Sequence, residues 1–188
     1  MTSTAEPSSV ADLAALGKEW EQHSPKLLAM IRRKIHFPLK NGEEAHDILH
    51  KVFVVAHRRW PSCTREQRAT PYVWLYGLAR DQVIETFRTI GRRQSEPWPS
   101  ESRLMPPDDH TGPQTKAMRE ERAAIVRRII DSMTDKDREM LGMRYLDQLG
   151  SGEVAAILGI EPNAAYVREF RALKRFKDAW KNLTGQSE

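Results

Sequence analysis

A proline-rich segment in the middle of the chain sets the strongest limit on the fold. Residues 91–115, GRRQSEPWPSESRLMPPDDHTGPQT, contain five prolines and no sustained apolar period. A structureless stretch of this length is unusual inside a compact domain, whereas linkers between domains are rich in proline and polar residues. The chain is therefore predicted to form two small domains joined by a Pro-rich linker.

Both flanks of this linker show helical periodicity, and no strand pattern competes with it. The predicted fold class is all-α. Ser24–Pro25, a pair favoured at a helix start, is a candidate interruption of the first helix. Thr134 to Asp137 resembles a capping box with Asp in place of Glu. The predicted segments are an N-terminal extension at 1–17, a first helical domain at 18–90, the linker at 91–115, a second helical domain at 116–183 and a tail at 184–188.

Composition narrows the class of protein further. The 188 residues are 39% hydrophobic and 30% charged, which favours small helical units with much solvated surface over one large core. The single cysteine, Cys63, excludes a disulfide within the chain and a cysteine-based zinc site, and it fits a reducing cytoplasm. Apolar runs are too short to span a membrane, so a cytoplasmic protein without a membrane partner is expected.

The stretch SGEVAAILGIEPNAAYVREFRALKRFK is typical of a helix-turn-helix. Gly159 stands where the turn needs a positive φ, Ala155 where two helices cross closely, and Ile160 where the core begins. On a helical wheel the last helix has a cationic arc and an apolar arc, as a recognition helix in a major groove requires. The cationic arc holds Arg168, Arg171, Lys174 and Arg175, and the apolar arc holds Ala165, Ala172, Leu173, Phe176 and Trp180. Glu169 falls on the apolar arc, where it is expected to reach solvent or to pair with a neighbouring cation. An ordinary solvated helix with a basic face is the alternative.

A second stretch, EEAHDILHKVF, places His46 and His50 four residues apart with Asp47 between them. Residues four apart share a helix face. The stretch H-D-I-L-H differs from the H-E-x-x-H zinc pattern in having Asp47 in place of Glu, whose side chain is one methylene longer. A metal-dependent hydrolase is one interpretation, but it needs a third ligand. His57 lies about 10.5 Å further along the helix axis than His50, too far to join a small coordination sphere with both.

Three stretches, in this order and spacing, resemble the extracytoplasmic-function (ECF) sigma factors of bacterial RNA polymerase over residues 20–183. EEAHDILHKVFVVAHRRW resembles region 2.2, and PYVWLYGLARDQVIETFR resembles regions 2.3 and 2.4. MTDKDREMLGMRYLDQLGSGEVAAILGI resembles region 4, whose usual form is L-P-x-x-x-R-E-V-L-x-L-R-Y-x-x-G-x-S-x-x-E-I-A-x-x-L-G-I, followed by a basic helix. The resemblance implies a sigma factor without catalysis or cofactor, which binds core polymerase at the β′ clamp helices and the β flap and reads two promoter elements.

The resemblance assigns candidate residues to each contact. Those for docking on core polymerase are Glu44, Asp47, Ile48, His50 and Lys51. Those for the −10 element are Tyr72, Trp74, Tyr76, Arg80, Asp81, Gln82 and Arg88, with Trp74 more simply a core residue. Those for the −35 element are Asn163, Tyr166, Arg168, Arg171, Lys174 and Arg175.

Two positions depart from the family pattern. Lys51 replaces a usual acid, so docking is expected to need compensating contacts or a nearby phosphorylation. Asp81 replaces a frequent asparagine, and a carboxylate cannot donate hydrogen bonds to a base. Regulation is expected to come from a partner such as an anti-sigma factor or a kinase. The competing interpretation is a helix-turn-helix regulator that binds DNA without polymerase.

Overall fold

The structure is a computed structural model that describes residues 10–35, 44–91 and 113–185. These residues form helices and connecting turns without any strand, which confirms the all-α prediction. The chain divides into two compact units, one in each half. Most of the predicted linker lies outside the described residues, so the domain boundaries stay predictions.

Within residues 10–35 and 44–91, the first unit consists of three long helices and one short one. They are α1 (Val10–Lys34), α2 (Ala45–Arg59), α3 (Arg65–Ala69) and α4 (Pro71–Gly91), with a 3-10 turn at Trp60–Ser62. Helices α1, α2 and α4 pack pairwise around a core that includes Leu27, Ile31, Ile48, Val52 and Leu75. Trp60 is buried beside Trp74, with ring centroids 5.6 Å apart. Helix α2 therefore packs through the face that carries Ile48, Val52 and Ala56.

Helix α1 runs without a break through Pro25, so the candidate interruption at Ser24–Pro25 is wrong. Proline removes one backbone donor inside a helix. The helix persists because Leu16 before the proline and Leu27, Met30 and Ile31 after it are all buried in the same core. Tertiary packing outweighs the local cost at this position.

In the second unit, residues 113–185 form four helices and one π-helical turn. They are α5 (Pro113–Ser132), α6 (Asp135–Leu141), the turn at Gly142–Leu146, α7 (Ser151–Leu158) and α8 (Pro162–Thr184). Helix α8 contacts α5, α6 and α7, and the core between them includes Ile129, Met140, Met143 and Val154. The position of α8 is therefore set by its packing against α5, α6 and α7.

Only half of the predicted capping box forms at the start of α6. Thr134 Oγ1 accepts a hydrogen bond from the backbone N–H of Asp137 at 3.3 Å, as the pattern predicts. The carboxylate of Asp137 does not complete the box, because both of its oxygens bind Arg175 from α8. A local motif is here replaced by a contact between helices.

Gln148, between the π-helical turn and α7, has a φ of 55°. It occupies the position at which the region 4 pattern has glycine. A residue with a Cβ pays roughly 1–2 kcal/mol in this left-handed conformation, and glycine does not. Replacing Gln148 with glycine is expected to raise the free energy of unfolding of this unit by about 1 kcal/mol, measured by urea denaturation. Gln148→Ala is the control, since it removes the side chain but keeps the strain, and equal gains from both variants would contradict the prediction.

Candidate nucleic-acid interface

The turn between α7 and α8 has the geometry that the sequence predicts. Gly159 has a φ of 62°, and the backbone N–H of Ile160 donates to the carbonyl of Ala155 at 3.0 Å. Ala155 is buried where α7 meets α8. The glycine ends α7 sharply and lets α8 start one residue after Glu161, with Pro162 in its first turn. The two helices form a helix-turn-helix.

The solvent face of α8 combines polar, cationic and aromatic side chains. Tyr166 is 62% exposed and Phe170 is 60% exposed, one helical turn apart. Asn163, Arg171 and Lys174 are exposed beside them. Arg171 has no partner among the residues that the structure describes. This face offers hydrogen-bond donors, positive charge and flat apolar surface together.

Phe170 is a candidate that the sequence analysis missed. Tyr166, Phe170 and Lys174 follow one another at intervals of four residues, so a helical wheel could have shown their common face. Phenylalanine is usually a core residue, and only its exposure in the structure indicates a contact with a partner.

Two of the predicted DNA-binding arginines are engaged within the second unit. Arg175 Nε and Nη2 donate to the two carboxylate oxygens of Asp137 at 2.8 and 2.6 Å. This bond raises the pKa of Arg175 above its ordinary value. Arg168 Nη2 donates to the carbonyl of Lys136 at 3.0 Å. These arginines hold the start of α6 against α8 and border an open groove of about 890 Å³ between the two helices.

Glu169 pairs with a cation, which is one of the two outcomes expected from the sequence. Its Oε2 lies 2.9 Å from Arg144 Nε in the π-helical turn, an ion pair without a directed hydrogen bond. Ser151 Oγ donates to the same oxygen at 3.2 Å. The acid on the apolar arc of α8 is thus compensated by residues from the turn and from α7.

The candidates on α4 are less uniformly accessible. Tyr76, one of the residues predicted for the −10 element, is 0% exposed, so its ring has no free surface with which to contact a base. Tyr72 is half-buried, with His23 at 5.2 Å between ring centroids and Lys26 Nζ at 5.7 Å from the ring. The remaining predicted residues are half-buried (Trp74, Arg80, Gln82) or exposed (Asp81, Arg88). Arg80 Nη1 lies 3.3 Å from Asp81 Oδ1, so these two side chains partly neutralise each other.

The candidates on α2 divide between core and surface. Ile48 is fully buried inside the first unit, so its prediction as a docking residue is wrong. Glu44, Asp47, His50 and Lys51 are exposed. Asp47 Oδ2 also accepts the backbone N–H of Glu44 at 2.8 Å, which stabilises the start of the helix. The four other predicted docking residues are thus accessible, and Ile48 is not.

His46, Asp47 and His50 do not form a metal centre with a third ligand. Across residues 10–35, 44–91 and 113–185 no group of three His, Cys, Asp or Glu side chains is close enough to hold an ion. His46 and His50 are exposed on α2 without a surrounding pocket of ligands.

None of the helices described has the length and apolarity that a membrane span requires.

Comparison with known proteins matches both units. The family model described as Sigma-70 region 2 matches residues 20–93, and the model described as Sigma-70 region 4 matches residues 123–176. The ECF RNA polymerase sigma factor SigD of Mycobacterium tuberculosis is 26% identical over 168 residues, which cover 89% of this chain and 77% of SigD. The ECF RNA polymerase sigma factor ShbA of Streptomyces griseus is 29% identical over 105 residues, or 55% of each chain.

A solved structure shows the same fold. The sigma factor RpoE of Bartonella quintana, in complex with the anti-sigma factor NepR, superposes with a TM-score of 0.60 at 16% sequence identity, over 88% of this chain and 96% of that one. The two family models match the two helical units in chain order and together cover more than half of the sequence. The chain therefore belongs to the ECF sigma factors of the sigma-70 family.

Proposed function

We propose that this chain binds core RNA polymerase and directs transcription initiation by recognising two promoter elements. The exposed face of α2, with Glu44, Asp47, His50 and Lys51, binds the β′ clamp helices. Helix α4 reads the −10 element, α8 reads the −35 element, and the second unit also approaches the β flap. The chain contributes no catalysis of its own to this process.

One observation carries the proposal most strongly, and it is the solvent face of α8. Its exposed side chains include two cations, an amide and two aromatic rings on the second helix of a helix-turn-helix. Arginine and lysine bind phosphates and guanine edges, asparagine pairs with adenine, and phenylalanine contacts the methyl group of thymine. For the −35 element we retain Asn163, Tyr166, Arg171 and Lys174 and add Phe170.

The −10 contact rests on fewer accessible groups. We retain Trp74, Arg80, Asp81, Gln82 and Arg88, with Tyr72 able to stack only if Lys26 and His23 leave its ring. Tyr76 is omitted because it is buried. Since Asp81 accepts but does not donate hydrogen bonds, we expect it to favour a base that presents an amino group.

The test is co-elution of the full chain with bacterial core RNA polymerase, followed by transcription from a random promoter library. We expect a stable complex and enrichment of a defined pair of promoter elements. A helix-turn-helix regulator is the second candidate, supported by the α7–α8 geometry alone. It predicts that the isolated chain binds its site equally well with and without core enzyme, and that outcome would replace the sigma proposal.

Lys51 provides a test of the docking face. Replacing Lys51 with Glu restores the charge usual in the family, and is expected to strengthen binding to core polymerase by about 1 kcal/mol, or about fivefold in Kd. The measurement is titration of labelled chain with core enzyme. Lys18→Glu, the same charge change on the exposed surface of α1, is the control and should leave Kd unchanged. Weaker binding after Lys51→Glu would remove Lys51 from the proposed docking face.

Regulation by a protein partner is part of the proposal. RpoE of Bartonella quintana, which shares this fold, is bound by an anti-sigma factor. We propose an anti-sigma factor or a kinase as the regulator of this chain. A pull-down with each helical unit as bait, repeated with core polymerase as competitor, would distinguish a partner that shields the docking face from one that modifies it.

A further inference from the structure

The most deeply buried side chains of α8 are two alanines. Ala165 and Ala172 are almost completely buried, while Leu173 on the same apolar arc is only half-buried. Helix packing is normally fixed by side chains that rise as ridges and enter grooves of the neighbouring helix. A methyl group makes a low ridge, so an alanine contact permits close approach but resists rotation of the helix weakly. Another interaction must fix which residues of α8 point outward.

Two ionic contacts lie on opposite sides of this alanine stripe. Glu169 and Arg175 stand three residues before and three residues after Ala172, so they point about 60° to either side of it. Arg175 binds Asp137 at the start of α6 through two hydrogen bonds, at 2.8 and 2.6 Å. Glu169 binds Arg144 and Ser151 at 2.9 and 3.2 Å. Rotation of α8 in either direction lengthens one of these contacts.

The Asp137 contact is the more directional of the two. The side chain of Asp137 is only 4% exposed, whereas that of Arg175 is 56% exposed. A guanidinium that donates two parallel bonds to one carboxylate is fixed in angle as well as in distance. Arg168 strengthens the same junction by donating to the carbonyl of Lys136. The Glu169 side is anchored further, because Arg144 Nη1 donates to the carbonyl of Leu149.

We propose that Asp137 and Glu169 are positioning residues, which act through Arg175 and Arg144 to set the rotation of the recognition helix. Arg175 then belongs to the scaffold of the interface and is not one of its phosphate ligands, although it lies on the cationic arc. This inference rests on the proposed function of α8. Arg171, one turn earlier on the same arc and without a partner in the described residues, is the matched phosphate ligand.

The test measures binding of the full chain, in complex with core polymerase, to a promoter duplex selected from a random library and to a shuffled duplex. Each Kd is determined over a series of NaCl concentrations. The salt slope is the magnitude of the fall in the logarithm of the association constant per unit rise in the logarithm of the salt concentration, and loss of one phosphate contact lowers it by about 0.9. We expect Arg171→Gln to lower the slope by this amount on both duplexes, and Arg175→Gln to leave it unchanged while reducing the preference for the promoter about fivefold or more.

Two further variants separate positioning from direct contact. Arg175→Lys keeps the charge that a phosphate needs but loses the paired hydrogen bonds to Asp137. We expect it to reduce promoter preference as Arg175→Gln does. Asp137→Asn and Glu169→Gln each remove a negative charge near DNA, so simple electrostatics predicts tighter binding to both duplexes. Positioning predicts a reduced preference for the promoter in both variants, and little further loss when Asp137→Asn is combined with Arg175→Gln.

Opposite results would overturn the inference. If Arg175→Gln lowers the slope as Arg171→Gln does, and Arg175→Lys restores it, then Arg175 is a phosphate ligand. If Asp137→Asn and Glu169→Gln tighten binding without changing preference, they are not positioning residues. Circular dichroism of each variant is the control for folding. If the wild-type complex shows no promoter preference, the proposed function fails, while the slopes on the shuffled duplex still decide the role of Arg175.

Discussion

Replacing Arg138 with alanine is expected to lower the free energy of unfolding of the second helical unit by about 3 kcal/mol. The Arg138 side chain is buried between α5 and α6. Its Nε donates to the carbonyl of Ile130 at 3.1 Å, and its Nη2 donates to those of Asp131 and Met133 at 3.3 and 3.0 Å. The carbonyl of Ile130 keeps a bond from the backbone N–H of Met133 at 3.2 Å, but alanine removes the Arg138 donor from the carbonyls of Asp131 and Met133 and opens a cavity beside them.

The measurement is hydrogen exchange of the α5–α8 amides over a urea series, which isolates this unit from the first one. Arg128→Ala is the matched control, because Arg128 lies on α5 but is exposed. Its effect is expected to stay within about 0.5 kcal/mol. Equal effects of the two variants would show that the carbonyl contacts of Arg138 contribute little. A loss of about 3 kcal/mol is a large part of the stability of a unit this small, so we also expect reduced promoter binding at 37 °C.

Phe170→Ala is expected to weaken binding of the promoter by about tenfold, with little effect on a shuffled duplex. Phe170 is 60% exposed, and burying the exposed part of such a ring against a groove stabilises a complex by about 1–2 kcal/mol. Phenylalanine forms no hydrogen bonds, so its selective contact in the major groove is the methyl group of thymine. The measurement is competition binding of the full chain with core polymerase.

A substitution in the DNA provides the sharper control. Replacing each thymine of the −35 element with uracil removes only its methyl group. At one position this is expected to weaken wild-type binding by about 0.8 kcal/mol, or about fourfold, and to have no effect on Phe170→Ala. Leu183→Ala changes another exposed apolar residue near the end of α8 and should not alter binding. The contrary outcome is that uracil has no effect at any position while Phe170→Ala weakens the binding of core polymerase. In that case Tyr166 and Phe170 contact the polymerase and not the DNA.

Sequence periodicity was sufficient to predict the helical fold, the helix-turn-helix and the order of the two helical regions. It succeeded because each long helix buries one continuous face, which leaves a regular apolar pattern. Gly159 was identifiable for a similar reason, since the turn needs a left-handed residue at that point. The resemblance to ECF sigma factors followed from patterns of this local kind.

Residue roles at the interface depended on contacts between helices that are distant in sequence. Arg175 and Arg171 belong to the same cationic arc, yet Arg175 binds Asp137, 38 residues earlier, and Arg171 does not. Tyr76 and Phe170 were misjudged in opposite directions, because an aromatic residue has the same apolar surface whether a core or a partner covers it. The wheel gives the direction of a side chain but not what lies in that direction.

The sequence by itself determined that this protein is all-α, that it has two helical regions and that it resembles an ECF sigma factor, because these properties follow from local periodicity and from motif order. Only the tertiary structure decided which cations of α8 are committed to α6, how Glu169 is compensated and which aromatic side chains reach solvent. The physical reason is that hydrogen bonds and burial depend on the distance between elements, and this distance is set by packing across the whole unit.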